Sequence, residues 1–340
     1  MEIIDFVLTW VDGSDSEWLD EKRTWEVKEN LFTSAEANTE CRYRSNTELL
    51  RYWFRSIERF APWVNTIHFV TCGQKPEWLN VNHPKLKLVD HKDYIPSEFL
   101  PTFNSNVIEL NYHRIKDLSE HFVLFNDDMF LLQPLTPGFF FKKGQPVLDT
   151  NLKYPQSYGF NNWSRVMFND YCVVNKSFDM RKSIRKNAKK WFSVKDLGLG
   201  RSLNNYINYK VNGTLPVSNY GHIATPHLKS TLQEIWDEHP EIMAQTSAHK
   251  FRTDDQVNQW LLSAWNQAKG SFYPAKRKGL GIRIVLSPYF LAKAVDIIEN
   301  RRFPQICLND TEFNTDPENS YGALMKAFES IFPEKSMFEL

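Results

Sequence analysis

Residues His121–Leu132, HFVLFNDDMFLL, restrict what this chain can fold into more than any other stretch. Four apolar residues, Phe122 to Phe125, read as a short buried strand, and Asn126-Asp127-Asp128 follows at once. Extended backbone alternates its side chains, so Asn126 and Asp128 point one way and Asp127 the other until a turn intervenes. Adjacent carboxylates at the end of an apolar strand repel unless their charge is offset. A solvated Asp-Asp turn does this with water. A hard divalent cation does it with oxygen ligands, and Mg²⁺ takes one or two protein carboxylates together with substrate phosphates.

The pattern of strand followed by acid recurs along the chain. Ile3–Trp10 is an apolar run closed by Val11-Asp12-Gly13. Asp12 before Gly13 suits a tight turn, but in an open α/β sheet ligands sit beyond the carboxyl ends of strands, where Asp12 would lie. Thr66–Thr71 is the next strand, and Leu86–Val89 closes on Asp90-His91. Near the end, Gln305–Leu308 runs into Asn309-Asp310, a second Asn-Asp at a strand end that pairs with Asn126–Asp128 around one metal. Strands alternating with helical stretches predict an α/β fold with a largely parallel sheet.

Helix starts supply the other candidates. Arg44 precedes a helix opened by Ser45 and Glu48 at capping-box spacing. A cation there opposes the helix dipole, which a solvated arginine tolerates and an arginine waiting for phosphate explains. Asn104 and Ser105 open a helix over Val107–Leu118, with Asn106 and Glu109 at capping spacing. They serve as caps or as contacts to phosphate or sugar hydroxyls. Thr225-Pro226-His227 reads as N-cap, proline at the first helical position and histidine in the first turn. The dipole there favours neutral imidazole, so His227 is the candidate general base and His222 a weaker one. Thr253 and Gln256 fit a capping box that accounts for Asp254 and Asp255; Arg252 has no such structural role. Residues 139–220 read as an insertion or lid within a single domain. Arg181, Lys182, Arg185, Lys186, Lys189 and Lys190 form a basic stripe there, either a solvated face or one for anionic lipid or polyanionic product.

The chain of 340 residues, 42% hydrophobic, can bury a substantial core. Formal charge is zero, so no global field points to nucleic acid. Cys41, Cys72, Cys172 and Cys307 lie far apart without a CxxC pair and are expected as free thiols in a reducing compartment. No basic, apolar leader opens the sequence, and no run reaches the roughly 20 apolar residues of a membrane helix, so a cytoplasmic protein is expected.

Taken together, these residues resemble the Stealth family of sugar-phosphate transferases, which includes bacterial capsular and receptor polysaccharide phosphotransferases and the eukaryotic lysosomal-enzyme N-acetylglucosamine-1-phosphotransferase. The resemblance runs through four ordered blocks: Asp5 to Trp18, Arg42 to Leu135, His222 to Val257 and Cys307 to Thr311. It leaves mainly 139–220 unassigned and suggests a bacterial cytoplasmic member, possible contact with the inner face of the membrane included. It implies a GT-A-like, Rossmann-like fold, Mg²⁺ (or Mn²⁺), and a UDP-sugar whose sugar-1-phosphate passes to a glycan or lipid-linked oligosaccharide, releasing UMP. By the same resemblance Asp12 and its neighbours Trp10, Val11 and Gly13 belong to the nucleotide site. Asp127, Asp128 and Asp310 belong to the metal and catalytic centre, and His227 and Arg252 match catalytic positions. Two rivals stand beside this reading. One is a glycosyltransferase that moves the sugar alone and releases UDP; the other is a lectin-like glycan binder that turns over no nucleotide sugar.

Overall fold

The computed structural model describes residues 2–31, 43, 47–150, 152–153, 162–218, 221–276, 280–311 and 313–340. Four strands, β1 (Ile4–Thr9), β2 (Ile67–Thr71), β3 (Leu86–Asp90) and β4 (His121–Asn126), lie parallel in the order β3-β2-β1-β4. A fifth strand, Thr225–Leu228, pairs antiparallel with β4 at the edge. The 3-2-1-4 order is that of half a Rossmann sheet, in which the direction of winding reverses between β1 and β4. The largely parallel α/β fold is therefore present.

Side chains alternate between two buried faces. Phe6, Leu8, Ile67, Phe69, Val123 and Phe125 pack on one side with helices Thr47–Phe60, Pro288–Glu299 and Pro317–Ile331. Val7, Val70, Phe122 and Leu124 pack on the other with Ser105–Leu110, Lys229–Glu238, Pro240–Ala248 and Trp260–Lys269. A parallel sheet buried on both faces needs apolar residues throughout, which is why these strands read as continuous apolar runs.

After Asp127-Asp128 the chain turns into a short strand, β5 (Met129–Leu131), which leaves the main sheet and pairs antiparallel with Gln305–Asn309. That strand in turn lies parallel to Ile282–Val285. Leu308 N–H donates to the Asp128 carbonyl at 2.8 Å, so the two Asn-Asp sequences are neighbours through their backbones.

Region 139–220 holds helices Asn162–Ser177, Met180–Lys186 and Leu199–Asn212, with two shorter ones. It is stitched into the body, because Gln145–Asp149 pairs with Tyr273–Ala275. Among the described residues Cys72, Cys172 and Cys307 are free thiols, and no helix is long and apolar enough to cross a membrane.

The end of the chain is fastened by a buried ion pair. Arg55 Nε and Nη2 donate to the two Glu339 carboxylate oxygens at 2.8 and 3.0 Å, and Nη1 donates to Glu329 and to the Phe332 carbonyl. Both partner side chains are buried. Burial is the largest single influence on the Glu339 carboxyl and pushes it upward, but the hydrogen bond and charge of Arg55 together with the Ser336 hydrogen bonds outweigh it and hold the group below the usual carboxylate range. Breaking one half of such a pair leaves a buried charge without compensation. Glu339→Ala is expected to lower stability by about 3–5 kcal/mol in denaturant unfolding. A loss within the range of exposed pairs, under about 1 kcal/mol, would show that the clasp is solvated.

Candidate active site

Thr9 is level with Asn126 across β1 and β4. β1 therefore delivers Trp10 and Val11, and β4 delivers Asn126, Asp127 and Asp128, to one rim at the winding reversal, where open α/β sheets bind ligands. A cleft of about 260 Å³ opens there. Its walls also include Ser105, Glu109, His222, Arg252, Asp310 and Tyr321.

Desolvation, with the neighbouring Asp128 charge, pushes the Asp127 carboxyl up to about 7. The Asp128 carboxylate accepts from the Cys307 thiol at 3.1 Å and lies 4.0 Å from His222 Nε2. Its other oxygen, Oδ1, is buried with no hydrogen-bond partner. Asp310 is aimed by Tyr321 O–H at 2.6 Å and Asn314 Nδ2 at 2.9 Å. Ligand atoms of Asp128, His222 and Cys307 lie within 4.8 Å of one another. Burial, reinforced by Asp128, keeps the Cys307 thiol well above its ordinary value, so it stays protonated and steadies Asp128 rather than acting as a thiolate ligand. What remains of that group is the Asp128 carboxylate and the His222 imidazole, and the Asp127 and Asp310 carboxyl groups line the same cleft. The orphaned Asp128 oxygen fits a hard divalent cation such as Mg²⁺ or Mn²⁺.

The opposite wall is a cation facing a carboxyl. Arg252 Nη2 donates to Ser105 Oγ. Ser105 and Glu109 are four apart on helix Ser105–Leu110 and so share a face. Burial pushes Glu109 up to about 7, while the charge of Arg252 works against that rise. Asn104 is the N-cap of this helix, its side chain accepting from Asn106 N–H. Its amide also donates to the Phe251 carbonyl and to Gln256, so it positions the segment carrying Arg252, and it is not among the cleft-lining residues.

An aromatic end completes the cleft. Trp18 packs against Tyr43 and Phe103 at ring distances of 5.3 and 5.6 Å. His91, just past β3, is buried beside them, and burial pushes its imidazole down to about 4, so it is neutral at physiological pH. Its Nε2 has no protein partner.

Several expectations are corrected here. Thr225-Pro226-His227 does not start a helix: it is the edge strand, His227 lying opposite Phe122, and the helix begins at Lys229. Proline is tolerated on an edge strand, and cross-strand pairing prevails over the local capping signal. His227 is fully buried, with Nε2 3.4 Å from Gln259 Oε1, and is not among the cleft-lining residues. His222, ranked behind it, lines the cleft. Asp12 turns its carboxylate onto Ser14 N–H at 2.9 Å and is likewise absent from the cleft lining. Gly13 faces the Tyr43 carbonyl so closely that a Cβ would come within 1.7 Å of it, which requires glycine there whatever else the turn does. Gln256 does not cap a helix either; it accepts from Asn104 and Asn106, and the helix starts at Trp260. The helix after Asn104 ends at Leu110, not Leu118. Arg44 and Cys41 lie outside the described residues.

Glu109 was missed because its spacing from Asn106 imitates a cap; its i, i+4 relation to Ser105 was the available signal. His91, Trp18 and Phe103 carried no pattern that distinguishes a cleft wall from a core.

Comparison with known proteins matches three family models. They are Stealth protein CR1, conserved region 1, over residues 3–26; CR2, conserved region 2, over 42–148; and CR3, conserved region 3, over 221–268. The chain is 41% identical over 337 residues to the capsular polysaccharide phosphotransferase WcwK of Streptococcus pneumoniae, covering 99% of this chain and 98% of that protein. It is 36% identical over 349 residues to the receptor polysaccharide phosphotransferase WefC of Streptococcus oralis, covering both chains in full. Among solved structures it is loosely similar to the galactosyltransferase LgtC, with a TM-score of 0.42 and 9% identity over 98% of each chain.

Proposed function

The chain belongs to the Stealth family, and from that premise we propose that it is a polysaccharide phosphotransferase that passes sugar-1-phosphate from a UDP-sugar to a glycan hydroxyl and releases UMP. The sugar is a hexose or N-acetylhexosamine. The product is a phosphodiester link in a capsular or other cell-surface polysaccharide. The glycan is free or lipid-linked, and the lipid-linked case brings the protein to the inner face of the membrane.

The observation that carries this reading is the convergence on one cleft of paired acids, an arginine and a histidine delivered by distant parts of the chain. Phosphoryl-type transfer asks a protein for charge neutralisation on phosphate oxygens and for an in-line nucleophile, with little covalent chemistry of its own. Asp128 and Asp310 are the residues that would hold a divalent cation. When bound, that ion neutralises charge on the diphosphate. Arg252, held by Ser105 and facing Glu109, grips the transferred phosphate by charge-assisted hydrogen bonds. His222 stands beside Asp128 and accepts the proton of the attacking acceptor hydroxyl. The uridine occupies the aromatic end, stacked against Trp18, Tyr43 or Phe103, with the unpartnered His91 Nε2 available to its polar edge.

The test is the identity of the nucleotide product. Incubation with a panel of UDP-sugars, Mg²⁺ or Mn²⁺ and a bacterial oligosaccharide acceptor is expected to release UMP. Release of UDP would instead identify a glycosyltransferase, and no turnover with glycan binding alone a lectin-like protein.

A further inference from the structure

Helix Leu199–Asn212 is built inside out. Its inward face carries Ser202 and Asn205, both buried, and Arg201, which pairs with Asp149. Asn205 Nδ2 donates to the Trp191 carbonyl at 3.0 Å, so the polar side is anchored in the fold. Its outward face carries Leu199, Leu203, Ile207 and Val211, spaced four apart and exposed by 69, 52, 51 and 75%. Isolated apolar side chains are normal on a surface, but a helix that turns its apolar stripe out and its polar stripe in is oriented toward something other than water.

The charges around that stripe say what. Between residues 180 and 212 there are nine lysines and arginines and one acid, Asp196, in a chain whose formal charge is zero. Arg185 of helix Met180–Lys186 donates to Tyr209 O–H at 2.9 Å, which places the basic helix alongside the apolar one. The Arg181 guanidinium lies at Gly213, the C-terminal cap, and Lys210 sits over the Tyr206 ring on the exposed face. A second copy docked through the same face would bring two such clusters together, and like charges across an interface repel. An anionic bilayer complements both features at once, accepting the apolar stripe among acyl chains and the cations at its headgroups.

We propose that Leu199, Leu203, Ile207 and Val211, with the flanking basic side chains, form a surface that docks the enzyme on anionic lipid. This deepens the proposed function by giving the enzyme a way to meet a lipid-linked acceptor, and it rests on that reading for its purpose. Another helix of region 139–220 reaches the site: Asn169 of helix Asn162–Ser177 donates to the backbone carbonyls of Asp254 and Gln256, just beyond Arg252.

The experiment is vesicle flotation of the whole chain, without sugar substrate, on phosphatidylcholine vesicles with and without phosphatidylglycerol. The protein is expected to float with the anionic vesicles and to dissociate at high salt. The pair Leu203→Glu with Ile207→Glu should weaken binding at least tenfold. The pair Arg185→Glu with Lys210→Glu should weaken it about fivefold or more for each charge changed. All four side chains are exposed, so both variants should melt like the wild type and keep UMP release on a soluble acceptor. Equal binding to neutral vesicles, absence of binding, or full binding by either variant would overturn the proposal. So would a concentration-dependent dimer that the same substitutions dissociate. Because vesicle binding is read without turnover, it can fail while the phosphotransferase reading stands, and the reverse holds too.

Discussion

Asp128→Asn and His222→Ala are each expected to lower kcat by about 10²-fold or more, while His227→Gln leaves kcat within a few-fold of the wild type. Asp128 is where the charge requirement of the site is sharpest. Its Oδ1 is buried without a partner, its other oxygen is fixed by the Cys307 thiol, and the adjacent Asp127 sits in a desolvated position. An amide keeps the shape but removes the charge that a cation or a cationic transition-state partner needs. His222 is within 4.0 Å of the same carboxylate and on the cleft wall, so its loss removes a proton acceptor. His227 lies on the edge strand beside β4 with its ring against that of Phe122, and its substitution is expected to be read in melting temperature, not turnover. The check is kcat together with thermal unfolding for all three variants. A His227 variant that folds normally and loses turnover, with His222 dispensable, would reverse the assignment.

Glu109→Gln is expected to move activity and stability in opposite directions. Burial raises this carboxyl to about 7, with Arg252 opposing the rise, so the folded state holds the proton more tightly than the unfolded chain does. That contribution to stability is fully present below the ordinary carboxylate range and is lost as pH rises through about 7. A neutral glutamine of the same shape escapes the loss. The variant should therefore melt higher than the wild type above neutral pH and about equally in mild acid. Function runs the other way, because the ionised carboxylate is the form that aligns the Arg252 guanidinium on phosphate. The wild type should gain kcat as pH rises through about 7. The variant should lack that limb and turn over about 10²-fold more slowly at its plateau. An unchanged pH profile with unchanged kcat would reduce Glu109 to a buried side chain with no part in the chemistry. Replacing an ionisable group in a working cleft commonly trades stability against activity in this way.

The parallel core was legible in the sequence because burial on both faces leaves the continuous apolar runs of β1, β2 and β4. The acids at strand ends were legible for a related reason: a charged residue directly after such a run must lie at the rim. That Asp310 would come to the rim beside Asp128 was also readable, although the means was not. It depends on β5 leaving the main sheet to pair with Gln305–Asn309, which is long-range pairing that no local pattern encodes. The errors share one cause. Thr225-Pro226-His227, Asn106 with Glu109, and Thr253 with Gln256 each satisfy a local capping rule, and each was overridden by a tertiary partner. Those partners are β4 for the first, Arg252 for the second, and the Asn104 and Asn106 amides for the third. Capping signals are worth about 1 kcal/mol each, less than a strand pairing or a buried hydrogen-bond network supplies together. Arg252 stood out because no local rule explained it, and it does line the cleft. His222 and His227 differ only in which side of an edge strand's first residues they fall, a distinction that requires the register.

The most direct test of the central claim follows the β-phosphorus of the donor. With a UDP-sugar radiolabelled at that atom, the account predicts label in the glycan product as a phosphatase-resistant diester and unlabelled UMP in solution. Label remaining with UDP, beside a glycan extended by sugar alone, would contradict it.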